Sequence, residues 1–187
     1  MHDLSIQRLL TDQFRALNES DCVPDIYSWL VDETSMTARL EAYCQKLEVT
    51  IVKEGFFSEH ALTPDEHELV VGDAENTRFW LREVQLLADG EPWLAGRTVI
   101  PESSLQGPEA SLMALGTRPL GHYLFQSSSL CRDFLTPGTM SGLFARRSLL
   151  RLANKPLLLT EIFLPASPLH RLLAKGSLPC ILQPLQK

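Results

Sequence analysis

At 187 residues and 21.0 kDa the chain suffices for one domain with a substantial core, and 44% hydrophobic with 21% charged residues is ordinary globular composition, which excludes long disorder, collagen and coiled coil. With 17 Lys and Arg against 23 Asp and Glu, a formal charge of -6 and a pI near 5.4, it offers no basic footprint to nucleic acid or an anionic membrane. The basic side is uneven, 12 Arg to 5 Lys, and arginine grips carboxylates through paired hydrogen bonds, so a small anionic ligand is not excluded.

The N-terminal MHDLSIQRLLTDQF reads as a short amphipathic helix with acids in it, not as a signal peptide, and no run of about 18 apolar residues follows anywhere. A cytoplasmic protein without integral membrane association is expected. Pro24 opens a helix with Ile26, Tyr27, Trp29 and Leu30 on its apolar face, and Ser35 caps another carrying Met36, Leu40 and Tyr43. From Leu47 the period becomes two and predicts a strand ending near Gly55; residues 57–76, acidic and without period, predict an irregular surface connection.

RFWLREVQLLA and WLAGRTVIP flank Asp89-Gly90, a strong hairpin signal. Pro108 opens a helix that Gly116 closes, and Pro119 precedes a short helical piece over 120–125. Strands at 129–136 and 143–152, a turn at Asn154-Lys155 and the strand PLLLTEIFLP complete the set. The expectation is an α+β domain over 1–170, one six-stranded, mainly antiparallel sheet with helices on one face, followed by a loosely docked extension of unknown role at 171–187. Cys22, Cys44, Cys131 and Cys180 have no C-x-x-C spacing and read as reduced, buried thiols.

A charge in an apolar strand row must be paired, hydrogen-bonded or used. Arg82 stands among Trp80, Val84 and Leu86, Glu161 among Leu157, Leu159 and Phe163, and Arg97 between Ala95 and Val99. These three either converge on one enclosed site or form buried structural pairs, and pattern alone does not decide. His60 and His67 among acids read as a solvated loop rather than a metal site, and Arg146, Arg147 and Arg151 as a solvated strand face. Ser127, Ser128 and Ser129 lack a nucleophile elbow, and no glycine pattern suits a nucleotide.

In the same segments, W-L-R-E at 80–83, A-D-G-E-P-W-L-A-G-R-T-V at 88–99, P-L-G at 119–121, Y-L-F at 123–125, R-D-F at 132–134 and K-P-L-L-L-T-E-I-F-L-P-A-S-P-L at 155–169 closely resemble the bacterial chorismate pyruvate-lyase family, as do S-M-T at 35–37 and K-E-G-F at 53–56. The resemblance implies cleavage of chorismate to 4-hydroxybenzoate and pyruvate, the first committed step toward ubiquinone, by a monomer with no cofactor and no metal. It also implies an internal ligand cavity beneath helical flaps. It assigns ligand binding to Arg82, Glu161 and main-chain groups at Met36 and Leu120, with Arg97 as a supporting cation. Arg82 is then expected to fix the ring carboxylate, Glu161 to meet the 4-hydroxyl and serve as base, and Arg97 to attract the enolpyruvyl carboxylate. His122 and Ala145 depart from the pattern, at positions where family members carry Arg and Gly. The rival reading is a non-catalytic binding module of the same fold, either a regulator's effector domain or a 4-hydroxybenzoate carrier; the non-basic segment before Pro24 counts against a regulator.

Overall fold

A computed structural model describes residues 2–70 and 78–175. The elements in chain order are α1 (His2–Leu10), β1 (Arg15–Ala16), α2 (Pro24–Leu30), α3 (Met36–Glu41), β2 (Leu47–Ser58), α4 (Pro64–Val70), β3 (Arg78–Ala88), β4 (Glu91–Pro101), α5 (Leu120–Leu124), β5 (Leu130–Met140), β6 (Leu143–Leu152), β7 (Lys155–Phe163) and α6 (Pro168–Lys175). Tight 3-10 turns at Glu102–Leu105 and Gly107–Ala114 replace the helix expected after Pro108.

The strands form one antiparallel sheet in the order β1-β5-β6-β7-β4-β3-β2. It has seven strands rather than six, because the two-residue β1 adds to the edge of β5, too short to leave a periodic signature. Gly138 makes this possible: a Cβ there would lie 2.6 Å from the Arg15 carbonyl oxygen and 2.4 Å from the Phe14 ring. Two meanders, β2-β3-β4 and β5-β6-β7, meet where β4 pairs with β7. Their hairpins turn at Asp89-Gly90, Ser141-Gly142 and Ala153-Asn154, each pair with both φ values positive, the geometry that matches strand twist.

Helices lie on both faces, which corrects the one-face expectation. On one face α2, α3 and α6 bury Ile26, Trp29, Leu30, Met36, Leu40 and Leu169 against Val49, Leu86, Leu94 and Phe163. On the other, Leu10 of α1 packs on Ala95, Ala145 and Ile162, and Val70 of α4 on Phe79, Leu81, Val99 and Leu158. The region expected to be irregular thus holds the end of β2, which runs to Ser58, and α4 with its buried Glu66 and Val70; residues 71–77 lie outside the described residues. The predicted extension begins inside α6, where Leu172 packs against the core, and residues 176–187 are outside the described residues.

Candidate active site

Register decides which charges meet. On the face carrying α2, α3 and α6, Arg82, Thr98, Leu159 and Ser148 form one cross-strand row, and Val84, Gly96, Glu161 and Arg146 form the next. These rows cross the β4–β7 seam and make the floor of a cavity lined by Arg82, Gly96, Thr98, Arg132, Arg146 and Glu161. Its roof is Met36 and Thr37 of α3 with Leu120, Gly121 and Leu124 of α5. Its volume is about 50 Å³. That is room for a few waters, each needing roughly 10–15 Å³ of such space.

The roof is held from above and below. Ser35 Oγ accepts from the Ala38 amide at 3.3 Å and caps α3, and His122 Nε2 of α5 lies 3.0 Å from Glu41 Oε2 of α3. The two first turns nearly touch: a Cβ on Gly121 would sit 2.5 Å from Thr37 Oγ1 and 2.9 Å from Ser35 Oγ. From below, Arg82 Nη2 donates to the carbonyls of Gly116 (2.8 Å) and Arg118 (3.1 Å), at the entry to α5. Arg146 Nη1 donates to the Asp32 carbonyl at 2.7 Å and Arg132 Nη2 to the Glu33 carbonyl at 3.2 Å, both before α3.

The floor charges are paired unequally. Arg82, 3% exposed, donates to Glu54 Oε1 at 2.6 Å, and Arg146 Nε donates to Glu161 Oε2 at 2.6 Å. Among the described residues Glu161 Oε1 accepts no hydrogen bond, so one carboxylate oxygen is held while the other is available to a ligand. Of the three cavity arginines only Arg132 forms no ion pair among the described residues; its remaining bond runs to Ser148 Oγ at 3.3 Å. Burial, reinforced by the charge of Arg146, holds the Arg132 pKa below the usual guanidinium range.

Four expected site residues, Met36, Arg82, Leu120 and Glu161, line this one cavity. Arg97 does not. It pairs in register with Glu83 on the opposite face, 1% exposed, where its Nε and Nη2 donate to Glu66 at 2.7 and 2.9 Å, Nη1 to Glu83 and Nη2 to the Ala61 carbonyl at 2.7 Å. Burial disfavours its charge, but Glu66 and Glu83 more than offset this and hold the guanidinium protonated. Strand alternation separates it from Arg82: residues 97 and 98 face opposite ways, and it is Thr98 that pairs with Arg82.

Arg146 and Arg147, expected on a solvated face, are 2% and 4% exposed. Arg146 was legible by the row test, being the one charge among Phe144, Ser148 and Leu150. Arg132 was not, because the register shift between Arg132 and Phe134 breaks the alternation. His67 lies 3.3 Å from Glu59 at the surface, and no group of three or more His, Cys, Asp or Glu side chains placed to hold a metal is found among the described residues. Cys131 is exposed rather than buried, and Cys22 and Cys44 are half-buried.

A sequence model of the chorismate lyase family matches residues 11–174. The chain belongs to the chorismate lyase family. Among its curated relatives, the chorismate pyruvate-lyase of Erwinia tasmaniensis is 54% identical over 156 residues, 80% of this chain and 84% of that protein. The one from Cronobacter sakazakii is 52% identical over 162 residues, 84% and 94% respectively. Among solved structures, a possible transcriptional regulator from Bacillus subtilis overlaps 63% of this chain and 58% of its own, with 9% identity and a TM-score of 0.46. No helix among the described residues is long and apolar enough to cross a membrane.

Proposed function

We propose that this chain is a chorismate pyruvate-lyase, converting chorismate to 4-hydroxybenzoate and pyruvate as the first committed step toward ubiquinone. One juxtaposition carries the reading: Arg82 and Glu161, on adjacent rows of one cavity floor beneath Met36 and Leu120, in a chain about half identical to proteins of that name.

Chorismate needs only to lose its enolpyruvyl ether at C3 and its hydrogen at C4 to become aromatic. As the C3–O bond breaks, the C4–H electrons form the new ring double bond, and the departing enolpyruvate takes a proton at its methylene carbon to become pyruvate. Aromaticity drives the step, so positioning and electrostatics suffice. Arg82 binds the ring carboxylate. The first-turn amides at Met36 and Leu120, which have no partner within their own helices, add donors. Glu161, steadied by Arg146 through one oxygen, meets the 4-hydroxyl and takes the C4 proton with the other. The cavity admits a ring only if α3 and α5 part, so they act as flaps. The enzyme works as a cytoplasmic monomer without metal or organic cofactor.

The test is to incubate the purified protein with chorismate, following 4-hydroxybenzoate by absorbance and pyruvate by a coupled enzyme. Product above the spontaneous rate, unchanged by EDTA, is expected; none would leave a non-catalytic binder. Arg82→Ala should weaken 4-hydroxybenzoate binding most, and Glu161→Gln should lower kcat more than it weakens binding. The reverse order in both removes these roles.

A further inference from the structure

Chorismate carries a second carboxylate, on the enolpyruvyl arm, and with Arg97 on the opposite face that anion is left without a partner. The ionisable side chains lining the cavity are Arg82, Arg132, Arg146 and Glu161. Arg82 is assigned to the ring carboxylate, and Arg146 is committed to Glu161 and the Asp32 carbonyl. Arg132 holds only two long bonds to neutral groups, Ser148 Oγ at 3.3 Å and the Glu33 carbonyl at 3.2 Å. It is a half-buried charge in contact with no carboxylate among the described residues; Glu161, Glu33 and Asp32 act on it only from beyond ion-pair distance, and Arg146 opposes them, an arrangement that leaves its N–H groups open to an anion.

Position supports the same residue. The Arg132 side chain reaches Ser148, which shares a row with Leu159, Thr98 and Arg82. Ser148 and Arg82 are therefore three strand spacings apart, about 14 Å between backbones. Both arginines line the cavity between them, so the site offers a dianion spanning the seam one cation for each carboxylate. The irregularity after Arg132 sends Asp133 outward to Arg151, at 2.6 Å, and keeps that carboxylate from neutralising Arg132. Beyond Arg132 lies an outer pocket of about 240 Å³ that shares Phe125 and Arg132 with the cavity and continues over Ser127, Leu130 and Cys131, with Glu33 on its wall to repel an anion outward once it has left Arg132. A short carboxylic acid detached at Arg132 thus has space to leave without crossing the ring site.

We propose that Arg132 forms a second carboxylate subsite, which binds the enolpyruvyl carboxylate of the substrate and passes the pyruvate formed there into the outer pocket. This rests on the lyase reading of the ring site. Two effects follow. The substrate carboxylate replaces the Glu33 carbonyl as a partner of Arg132, and the product ring, lacking that group, is indifferent to the residue.

The test compares 3-(carboxymethoxy)benzoate with 3-methoxybenzoate as inhibitors, alongside chorismate kinetics and 4-hydroxybenzoate binding, in the wild-type protein and in Arg132→Met and Arg132→Lys. On wild-type protein the dicarboxylate should bind more tightly than the monocarboxylate. Arg132→Met should weaken the dicarboxylate and raise the chorismate KM about 10- to 100-fold, the range of one charge-assisted hydrogen bond, with 4-hydroxybenzoate and 3-methoxybenzoate changed less than about twofold. Arg132→Lys should recover part of the loss. Equal loss for both inhibitors, no loss for either, or no wild-type preference for the dicarboxylate overturns the subsite, and the last outcome needs no variant to fold. Failure of the ring-site reading shows elsewhere, as 4-hydroxybenzoate binding that Arg82→Ala leaves intact.

Discussion

Arg82 and Glu83 are neighbours in sequence and face opposite sides of the sheet, so one step of the pleat separates a charge offered to a ligand from a charge that holds the protein together. Arg97, Glu66 and Glu83 are each 1% exposed, and the arginine is the counter-ion of both acids. Arg97→Met leaves two buried carboxylates without their hydrogen-bonded cation, Glu66 keeping only the more distant Arg147. It should cost about 3–5 kcal/mol, read as a fall in the urea midpoint, with chorismate KM near normal in whatever fraction stays folded. A selective rise in KM without loss of stability would return Arg97 to the substrate site. Arg82 and Glu161 were legible because each is a lone charge in an apolar row. The same test found Arg97, but it reports that a charge is buried without telling which face buries it. That information lies in the register between strands, which shifts where Trp93 of β4 is left unpaired opposite Leu86–Leu87, and no single-strand pattern contains it.

At the scale of elements, the roof depends on the close approach of α3 and α5, and the residue permitting it is Gly121. Gly121→Ala forces Thr37 and the capping Ser35 aside. It should cost about 1–3 kcal/mol of stability, weaken 4-hydroxybenzoate binding, and speed its dissociation. Unchanged dissociation would show that the two helices do not close the site. The other end of the same face is pinned by α6, where His170 Nε2 donates to the Phe163 carbonyl at 2.9 Å beside the Phe144 ring. Burial holds the His170 pKa below its ordinary 6.5, against a weaker opposite pull from the Phe163 carbonyl. At high pH the imidazole is neutral in both folded and unfolded chains and contributes no pH dependence. As pH falls through 6.5 toward the native value, the unfolded chain takes up the proton first and stability is lost. The urea midpoint should therefore drop between pH 7.5 and 5.5, and His170→Gln should flatten that part of the profile; an identical slope in the variant assigns the loss to other groups. The docking of α6 is hidden because the element straddles residue 171, where the sequence suggests that a loosely docked extension begins, while α2 and α3, with Pro24 and the Ser35 cap at their starts, are plain.

For the molecule as a whole, the acidic balance of -6 and the arginine-lined cavity describe different places. Net charge is an average that keeps polyanions away, whereas the cavity places three arginines and one glutamate at the seam of two meanders, out of bulk solvent, where each charge acts more strongly. The same arginines bond the chain leading into both roof helices, Arg82 at Gly116 and Arg118, Arg146 at Asp32, and Arg132 at Glu33. On the proposed assignment, a substrate that claims their N–H groups competes with the roof as it enters, and the aromatic product, held at Arg82 and Glu161, waits for the roof to open again. Opening is then expected to set the turnover rate, with chemistry the faster step. Rapid mixing of enzyme with excess chorismate should show a burst of 4-hydroxybenzoate close to one per enzyme, followed by a slower steady rate. Gly121→Ala should raise the steady rate while leaving the burst rate within about twofold, since it loosens the roof and leaves the floor intact. A time course that is linear from the first turnover makes chemistry the slow step and removes the roof from control of the rate.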